Sequence, residues 1–165
     1  MLAELVLTRI DSRLVHGQVL VKWIDYTRAN SVCIVDDDLA QDAMLIGLFK
    51  MAMPKHVALE VLTAEEVAGY LAVQKGRVIL IFKDIQHVRA AIDAGVGIRE
   101  LQVAGLGRRD GRVQVYPTVY LSQLDAERLC QIQEKGVRIY CQALPEQPEL
   151  ALDQVLQKHF EELLK

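Results

Sequence analysis

The 165-residue sequence is poor in cysteine, proline and aromatic side chains, carries no surplus of positive charge and contains no long apolar run. Its three cysteines, Cys33, Cys130 and Cys141, stand far apart. No C-x-x-C or Cys/His ligand spacing occurs, which argues against a structural zinc site. An odd number of scattered thiols suits a reducing compartment. The formal charge of −3 gives no electrostatic ground for nucleic acid or an anionic membrane as partner. No stretch approaches the roughly 18 apolar residues of a membrane-spanning helix. Met1-Leu2-Ala3-Glu4 lacks a basic leader region, and Glu4 and Arg9 interrupt the apolar residues around them, so no signal peptide is expected. Neither G-x-G-x-x-G nor G-x-x-x-x-G-K-[ST] is present, which disfavours nucleotide sites of those types. What remains is a cytoplasmic globular chain, expected as one domain over residues 1–165 and long enough to bury a core.

Short apolar runs alternate with longer amphipathic ones. Strands are expected over Leu2–Thr8, Ser31–Val35, Val57–Leu62, Val78–Phe82, Glu100–Ala104 and Val137–Gln142. The fourth, "VILIF", is apolar throughout, as the middle of a parallel sheet requires. Helices are expected over Gly17–Ala29 and Asp38–Met53, the second stopped by Pro54. A third starts at the capping box Thr63-Ala64-Glu65-Glu66 and ends at Gly76, and a fourth runs from an Asp84 cap to Gly95. A fifth runs from Ser122 to Gly136, and a last amphipathic helix covers Pro148–Leu164. Val113–Leu121 reads as extended, with Pro117 marking an edge or a break. The β-α alternation predicts an α/β fold: a three-layer, mostly parallel open sheet with helices on both faces. The apolar face of the last helix either packs on the sheet or joins two copies in a homodimer; the sequence leaves both open.

The stretch that stands out is "TRIDSRLVHGQV", Thr8 to Val19, where the first strand hands over to the first helix. In open α/β sheets ligands bind beyond the carboxyl ends of strands, near helix N-termini whose unpaired N–H groups favour anions. Arg9 and Arg13 add guanidinium groups suited to phosphate oxygens. Gly17 permits close approach of a ligand to the backbone, and the N–H groups around Leu14, Val15 and Gly17 complete a cradle. Into this anion site the sequence puts His16. A neutral imidazole has a free nitrogen lone pair that can accept a phosphoryl group and pass it on, and positive charge around the transferring oxygens supplies most of the catalysis. Asp11 either fixes the imidazole tautomer or pairs with an arginine.

The run "RIDSRLVHGQV" resembles the signature of the IIB component of the mannose/fructose/sorbose family of the bacterial sugar phosphotransferase system. The likeness extends through Asp36-Asp37, "LIFKD", "GVGIRELQVAGLG" and "LSQLDAERLCQIQEKGV". It implies that His16 is the catalytic residue, taking phosphate on its δ1 nitrogen from the phosphohistidine of a IIA partner and giving it to a sugar imported through membrane IIC and IID proteins. By the same likeness Arg13, Asp11 and Arg9 line the active loop, the protein associates peripherally with the transporter, and no cofactor or metal is needed. Three departures are visible. Ser12 stands where an acidic residue is usual, Ala104-Gly105-Leu106 replaces a "GGM", and Tyr116-Pro117-Thr118-Val119 lacks a customary lysine. The competing reading is a non-catalytic anion-binding or regulatory domain on the same scaffold. A receiver-like aspartyl-phosphate switch fits less well, because the acidic run follows the second strand.

Asp36-Asp37-Asp38 suggests either a cation site or, more plainly, a helix cap at Asp38. Lys83 reads as a phosphate-facing, partner-facing or merely solvated lysine. Arg108-Arg109-Asp110-Gly111-Arg112 reads as a solvated turn or a docking loop for an acidic partner. His56, His87 and His159 read as surface residues.

Overall fold

The structure is a computed structural model and describes residues 2–165; Met1, part of the stretch read for a leader, lies outside them. A seven-stranded sheet forms the centre, in the order β3-β2-β4-β1-β5-β8-β9. Its strands are β1 (Ala3–Asp11), β2 (Ser31–Val35), β3 (Ala58–Leu62), β4 (Gly76–Phe82), β5 (Glu100–Gly105), β8 (Arg138–Cys141) and β9 (Leu150–Ala151). All pair in parallel except β9, which runs antiparallel to β8 at one edge. A separate antiparallel hairpin joins β6 (Val113–Tyr116) to β7 (Val119–Leu121), with Pro117 in its turn. The proline is therefore a break between two short strands, because it cannot donate to a ladder.

Alternation along the strands builds two cores. Val78, Leu80 and Phe82 face one side of β4, with Ile10, Val35, Leu101 and Val103. Helices α3 (Val67–Val73), α4 (Ile85–Asp93), α5 (Gln123–Glu134) and α6 (Leu152–His159) cover that side through Val67, Val88, Leu129 and Val155. Ile79 and Ile81 face the other side, with Val32 and Ile34. There the first helix packs Val19, Trp23 and Ile24, and α2 (Ala43–Ala52) adds Ile46 and Phe49. The first helix has a π-helical turn over Val19–Trp23 and continues as α1 (Ile24–Thr27). Arg28 ends it in the left-handed region at φ 53°.

Several expected boundaries move, each for a local reason. Strand β1 runs three residues further, to Asp11, because Arg9 and Asp11 neutralise each other inside the sheet and the ladder continues past the end of the apolar run. Asp38 does not cap α2; a 3₁₀ turn over Leu39–Gln41 intervenes, and Asp42 accepts the Leu45 N–H instead. Helix α3 ends before Gln74, so Gly76 opens β4 at φ 94° and does not close the helix. Only residues 152–159 of the last expected helix are α-helical; β9 precedes them and a 3₁₀ turn over Glu161–Leu164 follows. The apolar face of α6, with Leu152, Val155 and Leu156, packs into the core. The Asp84 cap of α4 and the Ser122–Asp125 capping box of α5 form as expected. Cys33 and Cys141 are buried with free thiols pushed up to about 12 by desolvation, which makes them inert packing residues.

Candidate active site at the carboxyl end of β1

The connection after β1 leads toward β2 on one side, and the connection after β5 leads toward β8 on the other. Adjacent β1 and β5 are thus left in opposite directions, which opens the crevice where α/β sheets bind ligands. A cavity of about 210 Å³ lies there, lined by Ser12, Arg13, Gly105, Leu106, Gly107 and Thr118. A larger one of about 690 Å³ runs along the amino half of β1, away from the loop.

Asp11 is the hub. It is fully buried and accepts six hydrogen bonds. Arg9 donates Nε and Nη2 to Oδ2 at 3.3 and 3.0 Å. Arg13 donates its backbone N–H and Nε to Oδ1 at 3.0 and 3.1 Å, and Nη2 to Oδ2 at 3.1 Å. His16 Nε2 lies 2.8 Å from Oδ2. Burial alone would raise the Asp11 pKa, but the hydrogen bonds from His16 and Arg13 and the charge of Arg9 outweigh it. The carboxyl group is held well below the usual carboxylate range. An ionised carboxylate only accepts, so Nε2 carries the hydrogen of that bond and Nδ1 keeps the lone pair of the neutral ring. Among the described residues Nδ1 has no hydrogen-bond partner. The His16 side chain is 20% exposed.

The loop is built to hold this arrangement. Leu14 adopts φ 60°, and its N–H closes a turn onto the Asp11 carbonyl at 2.9 Å. The Leu14 and Val15 side chains are buried in the second core and anchor the loop. Among the described residues the N–H groups of Val15 and His16 have no backbone acceptor, so they remain available to an anion. Gly17 is open, with nothing within 4 Å of where a Cβ would stand. The π-helical turn that follows is a feature frequent at functional sites.

Arg9 differs from its expected role. Its side chain is fully buried, with Nη1 donating to Gln102 Oε1 at 2.5 Å and to the Ala143 carbonyl at 3.2 Å. Desolvation lowers its pKa and Asp11 opposes the shift. It supports the loop from beneath and does not line the open crevice. Trp23 joins the same support: its Nε1–H donates to the Ala143 carbonyl at 2.9 Å, and the Arg9 guanidinium lies 5.7 Å from its ring centroid. Gln102, Trp23 and the Ala143 carbonyl were not among the expected site residues. A lone glutamine inside the apolar strand "LQVAG" is the signal that points to the first of them. Gly105 is a fourth addition: a Cβ there would run into the Asp11 carboxylate.

The other expected features lie apart. Lys83 pairs with Asp36 at 3.3 Å, just beyond the carboxyl ends of β4 and β2. The Asp37 carboxylate accepts the Ala64 N–H at 3.0 Å. Among the described residues no three metal-ligating side chains converge there. His87 is not a free surface residue; its Nδ1 lies 2.7 Å from Asp84 and its Nε2 accepts the Asp37 N–H at 3.1 Å. Arg112 is bound to Asp125 at 2.8 Å and to the Gly107 carbonyl, which leaves Arg108 and Arg109 as the exposed cations of that loop.

Comparison with known proteins decides the family. Residues 5–164 match the PTS system sorbose subfamily IIB component. The chain belongs to this family. Among its relatives is the N-acetylgalactosamine-specific phosphotransferase enzyme IIB component 2 of Escherichia coli (strain K12), 27% identical over 155 residues, covering 93% of this chain and 99% of that one. The mannose-specific EIIAB component of the same organism is 28% identical over 158 residues, covering 92% of this chain and 48% of the longer one. The crystal structure of manxB from Thermoanaerobacter tengcongensis superposes with a TM-score of 0.89 at 29% identity, covering 96% of this chain and 98% of that one. This IIB component is therefore a subunit of a sugar phosphotransferase system, with a transferase role in sugar transport. Among the described residues no helix is long and apolar enough to cross a membrane.

Proposed function

We propose that His16 Nδ1 is the phosphoryl carrier of this IIB component. The observation that carries the reading is the 2.8 Å contact between His16 Nε2 and Asp11, which occupies one ring nitrogen and leaves the other with its lone pair. The lone pair of Nδ1 attacks the phosphorus of a phosphohistidine on a IIA protein or domain. The donor's P–N bond breaks, and its electron pair returns to the donor imidazole. In the second step a sugar hydroxyl attacks the same phosphorus, the bond to Nδ1 breaks with its electron pair returning to the His16 ring, and the hydroxyl proton passes to solvent. Asp11 fixes the tautomer and stabilises the ring while it carries charge. Arg13 and the N–H groups of Val15 and His16 hold the phosphoryl oxygens. We place the second step at the membrane IIC/IID transporter, the protein on its cytoplasmic side, and residues 1–165 as one phosphotransfer unit. Family membership and the relation to an EIIAB protein support the partner assignment.

The test is intact-mass analysis after incubation with phosphoenolpyruvate, the general phosphotransferase proteins and a mannose-family IIA. Wild type is expected to gain one phosphate, lost in acid and kept in alkali, and His16→Gln to gain none. No gain in wild type with a competent IIA overturns the reading in favour of simple anion binding at the same loop.

A further inference from the structure

We propose that Arg9 and Gln102 are positioning residues for phosphoryl transfer, with Arg9 the permanent counter-cation of Asp11 and Arg13 the exchangeable one. The inference rests on His16 as the carrier.

The charge count motivates it. One buried carboxylate faces two guanidinium groups, and the Arg9–Asp11 pair is already neutral inside the protein. Arg13 is surplus charge, and its side chain is 44% exposed. It can leave Asp11 without stranding a buried anion, whereas removing the partner of a buried charge is strongly unfavourable. A phosphoryl group on the adjacent histidine brings negative charge and acceptor oxygens within reach of Arg13. Arg13 also lines the crevice cavity, so its guanidinium has room to turn.

Arg9 has no such freedom. Nε and Nη2 are committed to Asp11, and Nη1 to Gln102 and the Ala143 carbonyl. Gln102 is itself fully buried, and its orientation is set from both ends. Its amide oxygen meets Arg9, and its Nε2 donates to Gln142 Oε1 at 3.1 Å. Gln142 Nε2 in turn donates to the Gln147 carbonyl at 2.8 Å. Reversing either amide would set donor against donor or acceptor against acceptor. The relay therefore has one arrangement, and it ends on the carboxylate that orients His16. Two buried amides in such a chain are costly unless every group is satisfied, and here every group is.

The experiment uses the full chain with selective ¹⁵N labelling, together with phosphorylation kinetics. On phosphorylation the Arg13 Nε–H resonance is expected to move and the Arg9 Nε–H resonance to stay. Gln102→Leu keeps Arg9 but removes its acceptor. Its kcat for phosphoryl acceptance is expected to fall about tenfold with KM for phospho-IIA unchanged, as for a small misplacement of a reacting group. The ¹⁵N shifts of the His16 ring are expected to show a mixed tautomer in that variant. A folded Gln102→Leu protein with wild-type kcat and tautomer overturns the proposal, as does an Arg9 resonance that moves while Arg13 stays. If Gln102→Leu does not fold, the two arginine resonances of the wild type decide. If the wild type takes no phosphoryl group, the carrier reading fails, and the tautomer comparison in the free protein still tests the relay.

Discussion

His16 Nε2 and Asp11 Oδ2 are 2.8 Å apart at the end of the central strand, and this contact occupies one ring nitrogen and leaves Nδ1 without a hydrogen-bond partner among the described residues. Asp11→Asn is the direct probe. An amide in place of the carboxylate weakens the demand for hydrogen on Nε2 and removes the charge that, in the proposed mechanism, supports the phosphorylated ring. Phosphoryl acceptance is expected to fall at least about a hundredfold, within the range for loss of acid–base positioning. A time course of intact mass with phospho-IIA measures it. A rate within threefold of wild type would mean that the contact does not set the tautomer used in transfer.

The same substitution carries a stability cost. Arg9 is fully buried, so Asp11→Asn leaves it without its counter-ion at a cost of about 3–5 kcal/mol. The pH dependence has a definite sign. The folded pKa of Asp11 lies below its unfolded value, so its contribution is present above about pH 4 and lost as pH falls through the acid range. Denaturant midpoints of wild type and Asp11→Asn are expected to differ most near neutrality and to converge toward pH 2. A gap that stays constant down to that pH would contradict the linkage.

The layered α/β order, the capped starts of α4 and α5 and the reactive loop were legible in the sequence because each rests on local chemistry: apolar period, cap residue, charge density. What was not legible depends on partners distant in the chain. Arg9 read as a phosphate ligand because nothing near it in sequence reveals that Gln102 and Ala143 hold it from beneath. For His87 the Asp84 contact lies only three residues away and was within reach of the sequence, whereas the Asp37 N–H that Nε2 accepts lies fifty residues earlier and was not. The short β9 strand was hidden in a helical apolar pattern, since only pairing with β8 selects the extended form of Leu150 and Ala151.

His87 yields a second pH prediction of opposite sign. The hydrogen bond to Asp84 raises its pKa, against burial and against the Asp37 N–H, which Nε2 accepts only while the ring is neutral. Its contribution is complete below the unfolded value, about 6.5, and lost as pH rises through the folded value. Asp84→Asn keeps a side-chain oxygen to cap α4 and removes the charge partner of the imidazole. The difference in thermal midpoint between wild type and this variant is expected to be largest near pH 5.5 and to shrink by pH 9. Parallel curves across that range would show that the Asp84–His87 contact does not favour the charged ring.

Gly105 tests whether the position of the carboxylate limits the reaction. No left-handed backbone explains this glycine. What excludes a side chain is the Asp11 carboxylate itself, with Arg13 Nε 3.4 Å from the added carbon and the Ser12 N–H bound to the Gly105 carbonyl at 2.9 Å. In Gly105→Ala the carboxylate must shift, and His16 and Arg13 must shift with it. Overpacking of this kind costs about 1–3 kcal/mol, so the variant is expected to fold with a lowered denaturant midpoint. Its phosphoryl acceptance is expected to fall more than about tenfold, because reacting groups tolerate little misplacement. Gly47→Ala is the matched control. It lies inside α2 with nothing within 4 Å of the new carbon, and is expected to gain about 0.5–1 kcal/mol in stability at an unchanged rate. If Gly105→Ala lost stability but kept the wild-type rate, the placement of Asp11 would matter for the fold alone.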